Sequence, residues 1–207
     1  MNKSIDLSRR SSRLSLLFVL LTLWLALFAP QVALAHPLDV YLQATYITVT
    51  PTQLEVELDL SPGVLIAPTI LSTLDADGDQ QISEGEGQRY VDELLRHVEL
   101  QVDGKPLALT VTKIEIPAYL NIQAGYGMLR VFTTASLISD KSTSAMNGTH
   151  QLYYKNSYAP TNSNYQVNTI FNKDAAITLG KQNRDNLQQS MTMEFVIGSS
   201  PQTTSVD

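Results

Sequence analysis

Leu54-Glu55-Val56-Glu57-Leu58-Asp59-Leu60 alternates apolar and acidic side chains residue by residue. Only an extended chain places every second side chain on one face, so this run predicts a strand with one buried and one wet face. Just upstream, residues 40–50 are rich in Tyr, Thr, Ile and Val, and Thr50-Pro51-Thr52-Gln53 supplies a turn. The two runs read as a β-hairpin.

Working downstream, Ser61-Pro62-Gly63 ends the second strand, and Pro68 opens a short helix through about Leu74. Tyr90, Val91, Leu94, Leu95 and Val98 recur at helical spacing, which predicts a helix over roughly 84–97. Asp103-Gly104 stands between 100–102 and 107–116, a tight-hairpin signal. Further β-rich runs lie at 128–138, 151–158, 166–179 and 191–197, separated by Ser/Thr/Asn/Gly stretches. Several short strands at such spacing predict a mainly β fold, a β-sandwich of the immunoglobulin-like class, with a helix–loop–helix inserted at about 67–97. The expected domain covers 36–198. Residues 199–207 hold no apolar cluster and are expected to be disordered.

Between the two predicted helices runs Asp75-Ala76-Asp77-Gly78-Asp79-Gln80-Gln81-Ile82-Ser83-Glu84-Gly85-Glu86. Counted from one to twelve, oxygen-bearing side chains fall at positions one, three, five, nine and twelve, and Gln81 at seven offers its backbone carbonyl. Calcium is a hard cation that takes six to eight oxygens, so a loop wrapping it must present an oxygen at nearly every second residue. This is the ligand pattern of an EF-hand, with Asp75, Asp77, Asp79, Gln81, Ser83 and Glu86 as ligands and Ca2+ as the ion. Ile82 at position eight is the residue that turns into the core. Position six favours glycine because the turn there needs a positive φ; Gln80 carries a cost of about 1–2 kcal/mol at that position. Ser83-x-x-Glu86 also matches a helix capping box, which explains part of the pattern without any metal.

The first thirty-five residues belong to another class. Lys3, Arg9, Arg10 and Arg13 face one acid, Asp6; residues 14–28 are almost wholly apolar; Ala33-Leu34-Ala35 follows Pro30. A basic start, a short apolar run and a small-x-small ending make a secretory signal peptide at 1–35. The run is shorter than the roughly twenty residues of a membrane span, although retention as an anchor is the alternative. The chain is therefore expected to be exported and periplasmic, cell-surface or extracellular, with no transmembrane span after cleavage. The formal net charge is −6, and removing a segment with four bases and one acid makes the rest more acidic still. Such a chain repels nucleic acid and anionic head groups. It has no cysteine, which excludes disulfides, thiol nucleophiles and thiolate metal sites.

Cleavage after Ala35 makes His36 the new N-terminus. Its amine and imidazole could together grip a transition metal, completed by His97 or His150. Tyr153, Tyr154, Tyr158 and Tyr165 could form a glycan or peptide surface, or simply stand on strand faces. No Gly-rich phosphate loop, nucleophile elbow or Ser-His-Asp set is present, so no catalytic site is assigned and the chain is expected not to be an enzyme.

His36-Pro37-Leu38 after the signal, two strands, the acidic loop with its exit helix and the hairpin Leu100-Gln101-Val102-Asp103-Gly104-Lys105-Pro106-Leu107 come in a suggestive order. Over about 35–109 the chain resembles the extracytoplasmic N-terminal domain found ahead of the membrane part in nickel/cobalt permease-like proteins. The resemblance implies a β-rich exported domain that assists a membrane metal permease. It carries the acidic loop to Asp75, Asp77, Asp79, Ser83 and Glu86, and the mature start to His36. Gln80 departs from that pattern, and no apolar span follows Leu109. Two readings stay open: an exported, non-catalytic calcium-binding β-domain whose loop is a structural staple, and an accessory protein that binds nickel, cobalt or copper for a membrane transporter or another cell-envelope partner.

Overall fold

The computed structural model describes residues 38–138, 147–170 and 176–198. The expected signal peptide, His36 and the 199–207 tail lie outside the described residues. Of the described residues 49% are strand and 17% helix, which makes the protein mainly β.

The hairpin forms where the alternation predicts it. Strands β1 (Tyr41–Val49) and β2 (Gln53–Pro62) pair antiparallel, with Val49 opposite Leu54 and Tyr41 opposite Pro62. Leu54, Val56, Leu58 and Leu60 are buried. Helix α1 (Ala67–Leu74) follows with Pro68 in its first turn, then the acidic loop, then helix α2 (Glu84–Leu95). Both lay an apolar stripe on the core: Ala67, Ile70, Leu71 and Leu74 from α1, and Tyr90, Val91 and Leu94 from α2. Gly87 lets α2 come close to the chain beyond it, because a Cβ there would stand 2.2 Å from Ile116 Cδ1.

Strands β3 (Val98–Val102) and β4 (Lys105–Pro106) close the tight turn at Asp103-Gly104, whose φ values of 51° and 73° are those a two-residue hairpin loop requires. The remaining strands are β5 (Thr110–Glu115), β6 (Leu129–Ser136), β7 (Gly148–Asn156), β8 (Ser163–Ile170), β9 (Ile177–Arg184) and β10 (Ser190–Ile197), with a short helix α3 (Tyr119–Gln123) between β5 and β6. They form two five-stranded sheets, ordered β5-β6-β2-β1-β8 and β4-β3-β7-β10-β9.

Buried residues of both sheets and both longer helices belong to one apolar cluster. Several buried polar side chains beside it are paired, as burial demands. Thr45 Oγ1 lies 2.8 Å from the Tyr154 hydroxyl, joining β1 to β7. Gln43 donates to the Tyr158 carbonyl at 2.8 Å and accepts from Asn156 Nδ2 at 3.0 Å. The Tyr41 and Tyr90 hydroxyls meet at 2.8 Å and tie α2 to β1. Burial pushes both phenols well above the ordinary tyrosine range, so both stay protonated.

Three local expectations are corrected. The run 107–116 is not the second arm of the Asp103-Gly104 hairpin: that arm ends at Pro106, and Thr110–Glu115 crosses to the other sheet and pairs with β6. The run 166–179 is not one strand. Its first part, β8, lies parallel to β1 in one sheet, and its end begins β9 beside β10 in the other. An apolar period of two is the same on either sheet, so it cannot mark where a chain changes sheets. Finally, the wet face of β2 is not wet throughout, because Asp59 is buried opposite Arg130 of β6.

Asp59 has a measurable consequence. Burial and the neighbouring Glu57 raise its carboxyl to about 6, against a smaller opposing pull from Arg130. A carboxyl raised by folding binds its proton more tightly in the native state. Its ionised form therefore costs stability at neutral pH, and that cost disappears as pH falls through 6 toward the unfolded value near 4. Asp59→Asn should melt higher than the parent at pH 8, with the difference closing by pH 4 in parallel thermal scans.

Candidate metal centre

Asp75 ends α1: its N–H donates to the Leu71 carbonyl at 2.8 Å, and its backbone leaves the helical region. Its buried carboxylate is then surrounded by the loop it starts. Oδ1 accepts the Gly78 N–H at 3.0 Å and Oδ2 accepts the Gln80 N–H at 3.1 Å. Gly78 and Gln80 stand at φ values of 74° and 63°. The folded chain thus already holds Gln80 in the positive-φ turn, so its strain is a cost of folding the loop rather than one deferred to ion binding.

The far end is fixed from α2. Ser83 is the N-cap, with Oγ accepting the Glu86 N–H at 3.3 Å, and Glu86 Oε2 accepts from both the Ser83 N–H (2.9 Å) and its hydroxyl (2.8 Å). This is a capping box. Glu86 Oε1 reaches back across the loop and accepts the N–H groups of Ala76 at 2.8 Å and Asp77 at 3.4 Å. The capping box therefore does not compete with loop closure; one carboxylate performs both. These bonds, first of all that from the Ser83 amide, hold the Glu86 carboxyl down at about 2 although its side chain is only 5% exposed. A depressed carboxyl contributes stability above its unfolded value, and Glu86 loses that contribution progressively as pH falls from 4.5 to about 2.

Asp75, Asp77 and Glu86 each present an oxygen within 4.8 Å of the other two, the spacing of a divalent-cation cradle. Three carboxylates so close repel one another unless a cation or hydrogen-bond donors sit among them. The remaining sequence-predicted ligands are nearby in the chain but outside this group. Asp79 is exposed and its Oδ1 accepts the Gln81 N–H at 2.7 Å; Gln81 is exposed; Ser83 faces Glu86. Ile82 packs against the core, which anchors the middle of the loop. A shallow cleft of about 280 Å³ adjoins the cradle, lined by Pro68, Leu71 and Asp75 on one side and by Tyr119 and Gln123 of α3 on the other. Sequence reading missed α3, whose five residues are too few to show a helical period.

The histidines do not converge on this site. His97 Nε2, in the turn just after α2, lies 3.3 Å from Glu93 of that helix, and His150 Nδ1 lies 2.7 Å from Asp103 at the hairpin turn. Neither stands in a group of three metal-ligating side chains among the described residues. Of the four tyrosines at 153–165, Tyr154, Tyr158 and Tyr165 are buried, so they serve the core rather than a surface. No protein-family model matches this chain, and no curated protein matches it in sequence.

Proposed function

We propose that this chain is an exported, non-catalytic β-domain, a sandwich of the immunoglobulin-like class with an inserted EF-hand-like helix–loop–helix, in which residues 75–86 bind one calcium ion as a structural staple. The observation that carries this reading is the gathering of Asp75, Asp77 and Glu86 within 4.8 Å across a loop whose two ends are fixed to α1 and α2. The donors are all oxygen, which suits a hard cation and disfavours nickel or copper.

The ion would be taken by Asp75 and Asp77, joined by Asp79 turning inward, the Gln81 carbonyl and Ser83, and closed by Glu86. Binding links the end of α1 to the start of α2, and both helices are packed on the sheets. It therefore adds stability to a fold that the apolar cluster already makes, rather than creating it. The partner in this reading is a membrane or cell-envelope protein, a metal permease among the candidates.

The test is thermal unfolding of residues 36–207, which carry every member of the core cluster, in EGTA, in 2 mM calcium and in low-micromolar nickel or copper. An exported module with a dissociation constant near 0.1 mM should gain roughly 2 kcal/mol at that calcium level. A gain with calcium that Glu86→Gln abolishes supports the staple. A gain only with nickel or copper, lost on replacing His36, replaces this reading with the transition-metal accessory protein. No shift with any ion leaves residues 75–86 as a capped turn.

A further inference from the structure

We infer that the outer face of the sheet β5-β6-β2-β1-β8 carries a site for a small organic cation, a free alkylammonium group held by Glu57 between Tyr46 and Phe132. A shallow cleft of about 240 Å³ opens there, with Tyr46, Glu55, Glu57 and Phe132 among its walls. Thr112 of β5 and Ile170 of β8, the two edge strands of the sheet, also line it. The volume falls below the roughly 300–1,000 Å³ of sites for drug-sized ligands, so it suits a single head group.

Strand register builds this arrangement. Glu57 stands opposite Tyr46 of β1 on one side and Phe132 of β6 on the other. Side chains of directly paired residues share a face, so both rings flank this carboxylate. β1 and β6 are two strand spacings apart, about 9–10 Å. A cation midway between them falls within the roughly 6 Å over which an aromatic ring attracts it. Phe132 already attracts one ammonium, that of Lys113 in β5, which lies 5.5 Å from its ring centroid.

Charge selects the occupant. Glu55, Glu57 and Asp59 alternate along β2 and so share its outer face. The neighbouring bases are committed elsewhere: Arg130 approaches Asp59 at 3.5 Å and Glu115 at 3.7 Å, and Lys113 pairs with Glu115. Among the described residues no basic side chain pairs with Glu55 or Glu57. Asp59, beside Glu57, gives independent evidence that the row lacks positive charge: it is nine-tenths buried, and its Oδ1 accepts no hydrogen bond from the described residues. Like charges so close favour an added cation and repel an anion. A sugar would also need donors for its ring and glycosidic oxygens, yet no amide or basic side chain lines the cleft. Aromatic rings beside a carboxylate suit a cation that carries carbon, rather than a fully hydrated metal ion.

The test is a choline titration of the full-length chain in non-ionic detergent, following the ring resonances of Tyr46 and Phe132 by NMR. EGTA is present throughout, so residues 75–86 take no part. Choline should shift both rings saturably, and neohexyl alcohol, its uncharged carbon isostere, should bind at least about fivefold more weakly. Phosphocholine, which brings an anion against Glu55, should also bind more weakly than choline. Glu57→Gln should weaken choline binding about fivefold, and Tyr46→Leu or Phe132→Leu about two- to fivefold each. Glu99→Gln, which removes the same charge from the other sheet, should change nothing. The proposal is overturned if neohexyl alcohol binds as tightly as choline, which would make the cleft merely apolar. Glucose shifting the rings where choline does not would make it a sugar-binding face instead. Phosphocholine binding as tightly as choline would assign it to a lipid head group, and equal weakening by Glu99→Gln and Glu57→Gln would reduce it to diffuse surface charge. No shift at tens of millimolar choline overturns it too. The ligand comparisons use the parent chain, so they stand even if a variant fails to fold.

Discussion

Asp75→Ala is expected to abolish stabilisation by calcium and to destabilise the protein even in EGTA. The two losses have different causes. In EGTA the variant leaves the N–H groups of Gly78 and Gln80 without the carboxylate they donate to, inside a loop where both residues hold positive φ. Both residues are exposed, so water can take up the freed donors, and losing hydrogen bonds to a charged oxygen costs about 1.5–3 kcal/mol. In 2 mM calcium the variant also forgoes the roughly 2 kcal/mol that a site of about 0.1 mM affinity would give. The deficit against the parent should therefore be clearly larger with calcium than without. Denaturant melts of both proteins in both buffers measure it directly. Equal deficits in the two buffers would mean that Asp75 serves the turn alone, and unchanged calcium affinity would remove it from the ion site.

Phe195→Ala and Leu58→Ala should each lower the melting temperature of the whole domain by on the order of 10 °C, in one transition. Phe195 lies on β10 of one sheet and Leu58 on β2 of the other, and both are fully buried in the same cluster. Removing such a side chain costs about 2–5 kcal/mol through lost burial and the cavity left behind. For a domain of this size each kcal/mol is worth about 2–4 °C. If the sheets share one core, as the sandwich reading requires, truncation in either sheet moves a single cooperative melt. Two separable transitions, with each variant moving only one, would show two independent halves.

The local pieces of this protein were legible because each is fixed by neighbours in sequence. Strict alternation at 54–60 can bury its leucines only as a strand. Asp103-Gly104 fits few conformations other than a two-residue hairpin turn, and both residues adopt the positive φ it needs. Acids at alternate positions, followed by Ser83 and Glu86, implied a turn running into a capped helix, and the capping box is present. The spacing identified Asp75, Asp77 and Glu86 as members of one oxygen cluster, because a short loop between two helices leaves them little room to separate.

Tertiary structure alone decided what depends on distant partners. That β8 runs parallel to β1 follows from pairings such as Tyr41 with Ser163, more than a hundred positions apart, and that the chain changes sheets after Pro106 and again between β8 and β9 follows from β5 pairing with β6 and β9 with β10. A strand's own period is blind to its neighbour. The burial of Asp59 likewise depends on β6 lying beside β2, and the exposure of Leu65, Leu120 and Tyr126 depends on three segments meeting at one end with nothing described above them. The sequence determined what each segment is, because backbone sterics and side-chain period act over a few residues; which segments face one another was decided by how their apolar faces pack together.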